Sequence, residues 1–143
     1  MILCLLFLFL AGCSGSENEN NHVPKIEDYT WQMTSVQSMK AERQAVAYGP
    51  DGGSVLETAV EVVLVCTAED GELSIVDETN SQTYAGTYKR IETDQQTATY
   101  EVTIGENEGM AVVSMTTYHD ESQMPTFIIS LSDYALNFFA KEN

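Results

Sequence analysis

The chain has 143 residues, with 22 Asp and Glu against 6 Lys and Arg, and a formal net charge of −16. That balance excludes general binding to DNA or RNA, whose phosphates need clustered Lys and Arg, and electrostatic docking on anionic lipid. Hydrophobic residues make up 43%, enough for a core, so the length predicts one folded domain rather than a disordered chain.

Met1 to Gly12 form an apolar run that ends in small residues, and Cys13 follows, then Ser14-Gly15-Ser16. The run is too short to span a bilayer as a helix, which needs about 20 residues. It matches the apolar core of a secretory signal. The string Leu10-Ala11-Gly12-Cys13 resembles the lipobox of bacterial lipoproteins. The resemblance implies cleavage before Cys13, a diacylglycerol on its thiol, and a protein anchored in the cell envelope on the extracytoplasmic side of a bacterial membrane. It assigns residues 1–12 to the signal and 13–28 to the lipidated cysteine and a flexible tether. Residues 14–28 carry Asn, Ser and Glu with no helical or strand period; as a coil they span about 20 Å. With Cys4 removed and Cys13 lipidated, Cys66 is the one free thiol. It offers neither an internal disulfide nor a cysteine-rich zinc site, and reads as a small core hydrophobe.

From Tyr29 to the end of the chain, residues 29–143, the sequence is rich in strand-forming Val, Ile, Thr and Tyr. Tyr29, Trp31 and Met33 share one face of a first strand, and Val36 breaks their phase, which predicts a bulge near Thr34-Ser35. A weaker strand carries Val46 and Tyr48, and Pro50-Asp51-Gly52-Gly53 is a turn. Val60, Val62, Leu64 and Cys66 then alternate with the equally apolar Val63 and Val65, which predicts one strand buried on both faces. Leu73 and Ile75 mark the next strand, followed by Tyr84, Gly86 and Tyr88 in phase, then Tyr100, Val102 and Ile104. Met110 to Tyr118, then Phe127, Ile129 and Leu131, and finally Tyr134, Leu136 and Phe138 complete about nine strands. Ser54-Val55-Leu56-Glu57 fits a helical capping box, but its Val-rich continuation favours strand. Short strands with tight loops predict an all-β domain, an antiparallel up-and-down meander of 8–9 strands closed into a barrel, with a β-sandwich as the other arrangement.

Trp31 on the first strand, a tether before it, successive hairpins, Gly86-Thr87-Tyr88 at mid-chain and the closing Tyr134-Ala-Leu-Asn-Phe-Phe segment resemble the lipocalin-like domains of small bacterial lipoproteins. The resemblance covers most of residues 29–140 and implies a barrel that holds a small apolar or amphipathic ligand. Trp31, Tyr84, Tyr88, Tyr100, Phe127 and Phe138 are the residues that would line such a cavity. The same rings equally suit a filled interior, since eight strands leave just enough room for side chains. A filled barrel would instead present its loops to another envelope protein.

No phosphate loop, nucleophile elbow or metal-binding His pair is present, so no enzyme activity and no cofactor or metal are expected. His22 lies in the tether and His119 in a polar loop with Asp120 and Glu121. Glu69-Asp70-Gly71-Glu72 and Glu106-Asn107-Glu108 lack the ligand spacing of a dedicated calcium loop. The expected partners are therefore the membrane, through Cys13, and a small apolar ligand, with the barrel itself a monomer.

Overall fold

A computed structural model describes residues 23–40, 42, 44–50 and 59–141. Cys13, the lipobox, His22, the Pro50 turn beyond its first residue and the Ser54 segment lie outside the described residues. Among the described residues a 3-10 turn, Ile26–Asp28, precedes ten strands: β1 (Trp31–Ser38), β2 (Ala45–Tyr48), β3 (Val60–Glu61), β4 (Leu64–Glu69) and β5 (Glu72–Asp77). They continue as β6 (Gln82–Thr93), β7 (Thr97–Ile104), β8 (Asn107–Thr117), β9 (Gln123–Leu131) and β10 (Tyr134–Ala140).

From β4 to β10 every strand pairs antiparallel with the next, and β10 closes on β1, which also meets β4. The result is a closed eight-stranded antiparallel up-and-down barrel with β2 and β3 as extra strands. Closure leaves no long unpaired edge around the barrel wall, which removes the usual liability of an antiparallel sheet. The meander that the strand pattern predicts forms, and the sandwich does not.

β1 shows why the phase of its side chains matters. Trp31 pairs with Ala140 and Met33 with Phe138; the register then slips, so that Ser35 faces Asn137 and Val36 faces Leu136. Thr34 is the extra residue. It returns Val36 to the inner face, as the break in alternation predicts. Beyond the bulge β1 leaves β4 and takes β2 as its neighbour.

The Val60–Cys66 run behaves differently from its expected single, most buried strand. It splits at Val62-Val63: Val60 and Glu61 pair parallel with β2, while Leu64 onward joins the barrel wall. Val60 is 62% exposed, and only Cys66 of this run is fully buried. From Val62 to Cys66 every residue is apolar and carries no phase, so burial and a crossing between two neighbours look alike.

Gly86 sits where β6 changes partner, facing Leu73 of β5 on one side and Ile104 of β7 on the other. A β-carbon there would overlap the Thr103 carbonyl oxygen and stand 3.2 Å from Ile104 Cγ1. The backbones approach so closely that only glycine fits. Gly86→Ala is expected to lower stability by about 1–3 kcal/mol, the usual cost of forcing extra volume into a packed site. Urea unfolding of the two proteins measures it; an unchanged midpoint would show that β7 yields freely.

Inside the barrel the core is continuous: Trp31 and Met33 from β1, Cys66 from β4, Leu73 and Ile75 from β5, and the inward residues of β7 to β10. Among the described residues one charged side chain has little exposed surface, Asp77 at the end of β5. Asn80 donates to it twice, from its backbone N–H at 2.9 Å and its side-chain amide at 2.8 Å, closing the β5–β6 turn. Those hydrogen bonds hold the Asp77 carboxyl below its ordinary range. A lowered folded-state value means that the stabilisation is complete above the ordinary carboxylate range and is lost as pH falls through the folded value. The melting difference between wild type and Asp77→Asn should therefore be widest at neutral pH and shrink below about pH 4. A difference that grows on acidification would refute this.

Candidate functional site

Four of the six expected cavity-lining aromatics, Trp31, Tyr100, Phe127 and Phe138, belong to the buried core. Trp31 lies 5.2 Å from Phe127, centroid to centroid, and Phe127 lies 5.4 Å from a stacked Phe138. Trp31, Phe127 and Tyr100 are among the largest fully buried side chains. Alternation places them there: Phe127 pairs with Val113 across β8 and with Phe138 across β10, so all three share the inner face. Ring pairs at these separations are in mutual contact.

Tyr88 flanks that cluster and Tyr84 stands apart from it. Tyr88 is half-buried at the barrel mouth, 5.8 Å from Tyr100 in an edge arrangement. Its hydroxyl donates to Glu27 Oε1 at 2.8 Å, and burial, with Glu27 adding to it, pushes the phenol up to about 12. Tyr84 shares the inner phase of its partner Ile75 yet is 45% exposed, and its hydroxyl reaches Gln82. It stands near the start of β6, where phase sets the face but not the depth.

The mouth beside Tyr88 is closed by a segment that reads as tether in the sequence. Pro24 and Ile26 are buried, and Val23 packs against the core. The Ile26 N–H donates to Tyr100 Oη at 3.2 Å, and Trp31 Nε1–H donates to the Ile26 carbonyl at 2.8 Å. The expected flexible stretch through residue 28 is thus docked over 23–28. One aliphatic residue among polar neighbours has no period to betray it, and Tyr100, the acceptor for its N–H, lies 74 positions away.

Cys66 is fully buried, and desolvation pushes its thiol up to about 12. A thiol held protonated is a poor nucleophile. Modification of Cys66 by a thiol reagent should track unfolding, read at the Cys66 peptide by mass spectrometry; fast labelling of the folded protein would contradict its burial. Among the described residues, no group of three or more His, Cys, Asp or Glu side chains is arranged to hold a metal ion. The Asp120 carboxyl is held below its ordinary range by Ser122, whose hydroxyl and backbone N–H both bind it, as part of a tight β8–β9 turn.

The outer wall is divided by charge. On β4 to β7 the outward positions include Glu69, paired with Glu72, and Lys89, paired with Glu101. On β8 the outward run from Met110 to Thr116 faces Ser130, Ile128, Thr126 and Met124 of β9. Ile128 in turn faces Asn137, and Thr126 faces Phe139, which pairs with Gln32 of β1. None of these outward side chains is charged. Met110 and Ile128 are 40% and 41% exposed, and a shallow groove runs across the face between Tyr118, Met124, Ile128 and Phe139.

The geometry defines a closed antiparallel barrel with an aromatic interior, a docked N-terminal turn and one uncharged outer face. No family model, curated protein or solved structure matches the chain.

Proposed function

We propose that this chain is an extracytoplasmic lipoprotein, anchored through Cys13, whose lipocalin-like barrel is filled and serves as an interaction module. The observation that carries this reading is the uncharged face of β8, β9, β10 and β1 on a chain of net charge −16. An uncharged face that exposes Met110 and Ile128 on an otherwise acidic protein is where another protein would sit at the lowest desolvation cost. The ring contacts of Trp31, Phe127 and Phe138 favour this role over carriage of a small apolar ligand, because each ring already has an aromatic neighbour. The anchor rests on Leu10-Ala11-Gly12-Cys13, and the partner is another protein of the same envelope.

Two variants in the native host test the two halves of the proposal. Cys13→Ser should move the protein from the membrane fraction to the soluble one and abolish labelling by a fatty-acid analogue. Ile128→Glu places a carboxylate at an exposed site of the uncharged face. It should keep the thermal midpoint but lose the envelope protein that cross-links to the wild type. Persistent lipid labelling of Cys13→Ser refutes the anchor. An unchanged cross-linking pattern in Ile128→Glu refutes the face.

A further inference from the structure

We propose that the barrel mouth is a recognition site for a peptide bearing an aliphatic residue followed by an acidic one, occupied here by the chain's own residues 23–28. The inference does not depend on the lipid anchor or on the uncharged outer face.

Ile26 is held the way a bound peptide residue is held. Its side chain is fully buried in the core, its N–H donates to Tyr100 Oη on β7, and its carbonyl accepts from Trp31 Nε1 on β1. The next side chain, Glu27, accepts from Tyr88 Oη on β6. Three strands therefore read the N–H and the C=O of one residue and the carboxylate after it, while the core takes its side chain. No ladder pairs this segment with the barrel. It folds on itself: the Asp28 N–H donates to the Lys25 carbonyl at 3.1 Å, and the Lys25 N–H donates to Asp28 Oδ2 at 2.9 Å. A turn that makes its own hydrogen bonds arrives already shaped for its site, which lowers the ordering cost of binding.

The chemistry of the site selects the class of ligand. Tyr100 and Trp31 are almost wholly buried, and their polar atoms need partners. A purely apolar molecule would fill the volume of Ile26 and leave both atoms unmatched, whereas a peptide backbone satisfies both. Covalent attachment gives the chain's own segment an effective concentration in the mM range. A peptide from elsewhere must therefore compete with it, and the mouth responds only to a strong or abundant competitor.

The experiment uses the full chain carrying Ile26→Asp, since a carboxylate in an apolar pocket without a partner expels the segment. Trp31 is the sole tryptophan, and its indole N–H is itself part of the site. Its emission should shift red in the variant and return saturably when a capped synthetic peptide of residues 23–28 is added. The same peptide carrying Ile26→Asp should bind at least about tenfold more weakly, as loss of one buried aliphatic side chain requires. Wild type should not respond at the same concentrations. Emission that neither peptide moves, or that both move equally, overturns the proposal. So does an apolar dye that shifts the variant where the peptide does not, which would assign the mouth to small apolar molecules. If the variant does not fold, hydrogen exchange of the wild type decides. The Ile26 and Asp28 amides should exchange at least about tenfold faster than those of Val113 and Ile129, through local opening. Exchange of 23–28 only with global unfolding would make the segment permanent core and end the proposal.

Discussion

Trp31→Ala is expected to destabilise the domain by about 3–5 kcal/mol, the usual cost of truncating a buried aromatic side chain. The residue has no exposed surface and meets Tyr29 edge-on at 5.3 Å and Phe127 at 5.2 Å. Its loss removes apolar contact from two sides and strips the Ile26 carbonyl of its 2.8 Å donor. That second effect separates two substitutions. Trp31→Phe restores most of the volume but not the hydrogen bond, and should cost about 1–3 kcal/mol, the penalty for an unsatisfied buried acceptor. Against a typical total of about 5–15 kcal/mol, Trp31→Ala approaches the limit of folding and Trp31→Phe does not. Urea unfolding followed by circular dichroism measures both, since the fluorescent reporter is gone. Equal midpoints for Trp31→Ala and wild type would show that the indole is not packed in the core. Equal midpoints for Trp31→Phe and wild type would show that the Ile26 hydrogen bond contributes nothing.

Trp31 also shows what can be read from a sequence of this kind. Its facing, the bulge after it and the return of Val36 to the inner face all follow from a period of two and one break in it. The same reasoning places Tyr100, Phe127 and Phe138 inside. Phase fails where it is silent. From Val62 to Cys66 every position is apolar, so nothing marks the point where the chain leaves β2 and enters the barrel wall. Ile26 stands between Lys25 and Glu27, and the groups that hydrogen-bond it and its neighbour come from β1, β6 and β7. Only closure of the barrel brings those strands to one mouth. The uncharged face is legible once the register is known. Met110, Ile128 and Phe139 sit in three separate strands, and it is the ladder between them that turns scattered apolar residues into a surface.

The second large effect is expected at Phe127, and it bears on what the barrel holds. Its ring stands between Trp31 and Phe138 and has no exposed surface. Phe127→Ala should cost about 3–5 kcal/mol, transfer and cavity contributions together, because neighbours anchored on β1, β8 and β10 collapse only in part. The space left behind is walled by Trp31, Phe138 and the inward side chains beside them, all apolar. Such a cavity stays dry and accepts a small aromatic molecule. Benzene should therefore raise the melting midpoint of Phe127→Ala in a concentration-dependent way, recovering about 2.7 kcal/mol at a hundred times its dissociation constant. Wild type should not respond, since the ring that benzene would replace is already in place. The contrast is the test of a filled interior. A wild-type midpoint that rises with benzene would mean that the barrel has room for a ligand beside Phe127, and the case for an interaction module over a carrier would fall. A variant that loses stability without gaining a benzene response would mean that the neighbouring strands close the gap. The aromatic interior would then be softer than the contacts between its rings imply.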